Sequence, residues 1–203
     1  MEEKFAKLIS IIFHPLMMPL LTLLVLFNSN TYIAFSISSD AKNAIYILFI
    51  MFTVVLPMLI FLVLVKRGII ATLEMKEASE RRLPFLISII LYFVLYYVLR
   101  KLALPGVVYV LLLGTILSIV ICFFITLIWK ISIHMIAVGG VIGSLLGLSI
   151  RLGADFVLPI YLILLLAGFI GYARLKLYAH TPAQVYSGFV VGTALMAGIF
   201  FFV

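Results

Sequence analysis

The sequence predicts an all-α fold, a polytopic bundle of about seven transmembrane helices, or six if its short third run does not cross. Three observations predict it. Of 203 residues, 67% are hydrophobic and only 10% charged, too few polar side chains to cover a water-facing surface. Apolar runs recur at 6–27, 44–65, 85–99, 104–129, 132–150, 156–173 and 182–203, and a hydrocarbon core of about 30 Å takes roughly 20 helical residues. No barrel-type alternation appears, and a helix satisfies its own backbone in lipid.

The first run follows Met1-Glu-Glu-Lys-Phe-Ala-Lys7 and is too long for the apolar region of a signal peptide, so it reads as a retained helix. His14-Pro15 and Pro19 should kink it, and His14 reads as a partnered histidine at that kink. Residues 28–43, rich in Asn and Ser, read as an external connection. Lys66-Arg67-Gly68 ends the second span, and 69–84 reads as a short interfacial helix with mostly solvated charges. The third run is short because Arg100-Lys101 closes it. No solvent domain, repeat or low-complexity segment interrupts 1–203, which reads as one integral membrane domain. Its single cysteine, Cys122, forbids an internal disulfide and leaves the redox compartment open.

The polar residues gather in three clusters: Lys76-Glu-Ala-Ser-Glu-Arg81-Arg82-Leu-Pro84, Lys130-Ile-Ser132-Ile-His134, and Arg174-Leu-Lys-Leu-Tyr-Ala-His180-Thr-Pro-Ala-Gln184. With seven spans all three fall on one membrane face, with the N-terminus. Ionisable groups at membrane depth are functional hypotheses by default. The formal charge of +7 is spread over the ends of apolar runs, with no basic stripe or arginine-rich arm. Lipid headgroups or a phosphorylated substrate therefore fit better than nucleic acid. Arg174, Arg82 and Lys76 could clamp a phosphate, with Arg favoured for its fork. Two histidines near neutrality could supply nucleophile and proton donor. No cluster at metal-ligand spacing appears, so no cofactor or metal is expected.

These motifs resemble the type-2 phosphatidic acid phosphatase superfamily, the membrane branch of the vanadium-haloperoxidase-like fold, over about 76–188. That family carries Lys-x6-Arg-Pro, Pro-Ser-Gly-His and Ser-Arg-x5-His-x3-Asp. The third appears here as Arg174-x5-His180-x3-Gln184 and the second as Ser132-Ile133-His134. The first is approximate: Arg82-Leu83-Pro84 replaces Arg-Pro, and Lys76 is one residue too close. The resemblance implies a lipid-phosphatase-like core over about 76–203. It implies His180 as nucleophile, His134 as general acid, Gln184 orienting His180, and Arg174, Arg82, Lys76 and Ser132 holding the phosphate.

The implied activity is metal-free hydrolysis of a lipid phosphomonoester or isoprenoid diphosphate through a phosphohistidine. The partners are then a phospholipid or polyprenyl phosphate and the bilayer. Gln184 departs from the family aspartate and supplies an acceptor without charge. The alternative reading is a member that binds or moves phosphorylated lipids without cleaving them, and a third is an unrelated transporter or scaffold. Gly139, Gly143 and Gly147, with Gly188 and Gly192, make smooth faces next to both histidines. They should pack the histidine-bearing helices together, although a homodimer could use the same faces. Ten Lys and Arg on the motif face against four opposite place that face in the cytoplasm by the positive-inside rule. A bacterial inner (plasma) membrane is the expected location.

Overall fold

The computed structural model describes residues 1–75 and 77–202, and every regular element among them is helical. In chain order they are α1 (Glu2–Ile12), α2 (Met18–Phe27), α3 (Tyr32–Ser36), α4 (Ser39–Phe49), α5 (Leu56–Lys66), α6 (Arg82–Leu99), α7 (Gly106–Ile128), α8 (Ile133–Leu152), α9 (Val157–Lys176) and α10 (Pro182–Phe202). Seven stretches are long and apolar enough to cross a membrane, among them Glu2–Phe27, Ser39–Lys66 and Ser79–Leu99. The chain is thus an all-α membrane bundle of seven spans.

Two spans are composite, and proline is the reason in each. Span 1 breaks where the sequence places its kink: α1 stops at Ile12, Pro15–Met17 forms a 3-10 turn, and α2 resumes at Met18. Span 2 joins α4 to α5 through a π-helical segment, Ile50–Val55. Pro57, in the first turn of α5, has no N–H to give and would clash with the carbonyl four residues back, and a wider turn relieves both problems.

The third span settles on seven crossings rather than six. A 3-10 turn at Ser79–Arg81 leads directly into α6, so the span runs from Ser79 instead of starting at residue 85. Pro84 falls in the first turn of α6, where a missing N–H costs nothing. The interfacial helix expected over 69–84 does not form. The Glu80 carboxylate accepts from the backbone N–H of Ala71 (2.7 Å) and of Glu77 (3.3 Å), bonds that compete with a helix. Ile70 is buried against Leu16, Phe61 and Leu64 and ties this connection to the bundle. The 28–43 connection holds α3, capped by the Thr31 hydroxyl, and the start of α4, capped by Ser38.

α8 is the central post: 61% of its span is buried, against a third or less in the other six. It runs parallel to α10 in backbone contact. A Cβ on Gly192 would meet the Ile136 carbonyl oxygen at 2.1 Å, one on Gly143 the Thr193 oxygen at 2.3 Å, and one on Gly139 the Phe189 oxygen at 2.4 Å. Thr193 donates from Oγ1 to the Gly139 carbonyl (3.1 Å), and the Ser132 N–H donates to the Gln184 carbonyl (3.3 Å). The glycines chosen from the sequence therefore face the partner helix. Gly192→Ala should destabilise the bundle by about 1–3 kcal/mol through overpacking. Gly168→Ala, where a Cβ would meet nothing within 4 Å, should leave it unchanged or firmer. Thermal unfolding of the two variants in one detergent checks the contrast.

Candidate functional site

Because α8 and α10 are parallel, their N-termini open at the same end of the bundle, and α9 ends there too. The three polar clusters meet at that end. Arg81 Nε donates to the Met75 carbonyl (3.0 Å) and its Nη1 to the Ile131 carbonyl (3.2 Å), which stitches the first cluster to the second. Arg174 Nη1 lies 3.4 Å from both ring nitrogens of His134, which joins the second to the third. Glu2 and Lys176 form an ion pair that brings α1 alongside α9.

These groups surround one cavity of about 1130 Å³. Its mouth carries His14, His134, His180, Arg81, Arg174 and Lys130, with Glu3, Glu74 and Glu77 also present. Its interior is apolar, walled by Phe49, Phe61, Phe85, Leu111, Ile119 and Met196. On α8 the lining residues His134, Ala137, Gly140, Val141 and Ser144 follow helical spacing. The ten residues from His134 to Ser144 carry the cavity about 15 Å along the helix. Hydroxyls on its wall at Ser10, Thr22, Ser88, Thr115, Ser118 and Ser144 each donate to the carbonyl four residues earlier, so the serine and threonine protons there are matched within their own helices.

The α9–α10 corner sets His180. Tyr178 takes a left-handed backbone (φ 50°), unusual for a bulky side chain. The Tyr178 N–H reaches the Leu175 carbonyl (3.0 Å) and the Ala179 N–H the Arg174 carbonyl (3.1 Å), a Schellman end with tyrosine where glycine is common. Two residues later His180 Nδ1 lies 3.0 Å from Gln184 Oε1. The Thr181 N–H also donates to Oε1 (3.2 Å), and Thr181 Oγ1 accepts from the Gln184 N–H (3.4 Å). A backbone donor on Oε1 fixes which way the amide faces, so the His180 proton belongs on Nδ1 and Nε2 keeps its lone pair. Burial lowers the His180 pKa from 6.5 to about 4, the Arg81, Arg174 and Lys130 charges push the same way, and the Gln184 bond opposes them. His180 is therefore neutral at neutral pH.

His134 has the complementary arrangement. Its Nε2 lies 3.2 Å from the Ser10 carbonyl, which can only accept, so the ring proton is on Nε2 and Nδ1 faces Arg174. Arg174 Nε is buried and has no hydrogen-bond partner among the described residues. A buried cationic donor without an acceptor is costly, and Arg174 carries that cost at the wall of the cavity.

Of the residues chosen from sequence, His134, His180 and Arg174 line the cavity and Gln184 stands behind His180. Two are placed elsewhere. Arg82 is exposed and Arg81 takes the inward position, because neighbouring helical residues point about 100° apart. Ser132 is fully buried and does not line the cavity; its carbonyl lies under Gly188 at the α8–α10 contact and its Oγ has no partner among the described residues. Lys76 lies outside the described residues. Sequence reasoning missed Arg81, whose neighbour looked equivalent. His14 is partnered at the kink as expected, its Nδ1 accepting the Leu16 N–H (3.3 Å), and its ring also meets that of His134 edge-on, 5.7 Å between centroids. The chain matches no family model, no curated protein and no solved structure.

Arg81→Ala should lower thermal stability by about 2–4 kcal/mol, because a buried carbonyl, of Ile131, and a part-buried one, of Met75, lose a charged donor. Arg82→Ala should stay within about 0.5 kcal/mol of wild type, as an exposed substitution does. Paired melts in detergent measure the difference.

Proposed function

We propose that this protein is a membrane lipid phosphatase that cleaves a phosphomonoester or isoprenoid diphosphate through a phosphohistidine, without a metal. The observation that carries the reading is that Arg174, His134 and His180 share the cationic end of a cavity whose other end is apolar. An amphiphile with a phosphate head matches that division. The resemblance of Arg174-x5-His180-x3-Gln184 and Ser132-Ile133-His134 to the type-2 phosphatidic acid phosphatase signatures points to the same chemistry.

In this reading the phosphate dianion is held by the Arg174 and Arg81 guanidinium groups that line the cavity. Two parallel helix N-termini add partial positive charge at the same level. His180 attacks phosphorus through Nε2 while Gln184 holds Nδ1–H in line. The P–O bond breaks and the departing oxygen takes a proton from His134, which enters the step protonated on both ring nitrogens and recovers that proton from the water that later attacks the phosphohistidine. Water then cleaves the phosphohistidine and releases phosphate. Positioning and charge stabilisation do most of the work in such a transfer. The setting is a bacterial inner (plasma) membrane, with the site on the cytoplasmic face that the cation count favours.

Wild type in detergent with EDTA should release phosphate from phosphatidate, phosphatidylglycerophosphate or a polyprenyl diphosphate, and His180→Ala should release none. Absence of release from all three sinks the hydrolytic reading. Gln184, an uncharged residue where the family has a carboxylate, favours a second reading, in which the cavity binds or moves phosphorylated lipids. Binding without turnover, unchanged by His180→Ala, would select it.

The pH profile is a separate test. The nucleophile is the unprotonated ring, and His180 is held from 6.5 down to about 4. Lowering pH therefore leaves it nucleophilic until about 4, so the acid limb of kcat/KM belonging to His180 should lie near that value rather than near 6.5.

A further inference from the structure

His14 lines the cavity but has no part in the proposed reaction. It occupies the bend of span 1, ahead of Pro15, and its Nδ1 accepts the Leu16 N–H at 3.3 Å. That bond puts a lone pair on Nδ1, so the proton of the neutral ring is on Nε2. Nε2 has no hydrogen-bond partner among the described residues, whereas the other two histidines have theirs engaged: His134 Nε2–H with the Ser10 carbonyl, His180 Nδ1–H with Gln184. Among the three cavity histidines, His14 alone keeps a ring N–H free for a ligand.

Its position gives that donor a use. The His14 ring abuts that of His134, which Arg174 touches. The residues that follow, Leu16, Met18, Pro19 and Thr22, continue along the cavity wall. His14 thus stands at the seam between the cationic mouth and the apolar interior. An amphiphile with its phosphate on Arg174 and its tail inside must pass its linkage across that seam.

We infer that His14 is a substrate-binding residue, a neutral imidazole whose Nε2–H donates to an oxygen of the phosphate group held at Arg174. This role depends on the phosphate reading of the cavity but not on its hydrolysis. The ring keeps its proton throughout, as a neutral electrophile does, so no proton balance changes. The chemistry selected is a phosphate or phosphonate head on a single amphiphile, bound in a cavity to which all seven spans contribute.

The competing view is that His14 only caps the 3-10 turn, and two variants separate the views. The backbone at 14 is extended (φ −64°, ψ 144°), as the residue before a proline must be, whatever its side chain. His14→Ser keeps a good cap but loses reach. His14→Gln carries an N–H out to where Nε2 lies. The probe is hexadecylphosphonate, which cannot be hydrolysed, titrated calorimetrically into the full-length protein in detergent, with the melting temperature of each variant recorded alongside.

His14→Ser should weaken binding about tenfold, as loss of a donor to a charged oxygen does. His14→Gln should bind close to wild type, and both should melt near it. Phosphonate binding by His14→Ser equal to wild type would overturn the inference, as would equal losses in both variants at unchanged melting temperature. Phosphatidate hydrolysis is followed in parallel. A wild type that binds phosphonate but releases no phosphate refutes hydrolysis, and the binding comparison still decides for His14. A wild type that binds no phosphonate overturns the inference together with the phosphate reading.

Discussion

Backbone contact between α8 and α10 is the constraint on which the rest of the molecule depends. Lipid supplies little hydrophobic drive between helices, so close van der Waals approach must do that work. Here carbonyl oxygens of one helix sit where a side chain of the other would begin, at Gly139, Gly143 and Gly192. Such an approach is only compatible with glycine and leaves no freedom to slide, because a shift of one residue would drive a Cβ into a carbonyl. The bond from the Ser132 N–H to the Gln184 carbonyl closes the same contact at its open end. His134, two residues beyond Ser132, and His180, four before Gln184, are thereby fixed in height relative to each other.

The walls of the cavity are set by the opposite device, interruption of regular helix. Span 1 bends at Pro15–Met17 and span 2 loosens at Ile50–Val55, and these two irregular segments touch each other near the middle of their spans. Above that point α1 packs on α9 while α5 packs on α6. Helices that meet at one level and take different neighbours at another leave space between them, and the cavity includes residues of both, such as Ser10 and Phe61. Proline and glycine thus divide the labour. Glycines bring two helices into contact to fix the chemistry, and prolines part others to make room beside it.

Much of this was legible in the sequence, for identifiable reasons. Hydropathy placed seven runs because the bilayer fixes the length of a span, and helix-spaced glycines marked the α8–α10 contact because only glycine tolerates it. Histidine and arginine at run ends marked the site because burial of such groups in lipid is costly. What escaped were choices between neighbours. Arg81 and Arg82 are the same residue to any composition argument, and which one turns inward was decided by two carbonyls, of Met75 and Ile131, from distant parts of the chain. The start of α6 was hidden for the same reason, since a buried arginine reads as the end of an apolar run until its partners are known. Ser132 looked like a ligand from its spacing to His134, but the glycine packing that orders the site also seals that residue beneath it.

Gln184 is where geometry and chemistry pull apart. Its oxygen collects the Thr181 N–H and the His180 Nδ1–H together, a task a carboxylate would do with one negative charge more. The surroundings of His180 already contain Arg81, Arg174 and Lys130. A carboxylate there would have three cations to draw on, and each attraction would compete with a phosphate for the same groups. An amide withdraws from that competition. On the proposed reading, the cations remain free for the substrate, and the positive charge that develops on His180 during attack is balanced by the phosphoryl oxygens rather than by the protein. Orientation is kept and electrostatic support is moved from the residue behind the nucleophile to the anion in front of it. Catalysis would then depend more steeply on how tightly Arg174 and its neighbours hold the phosphate than it would with an acidic partner at this position.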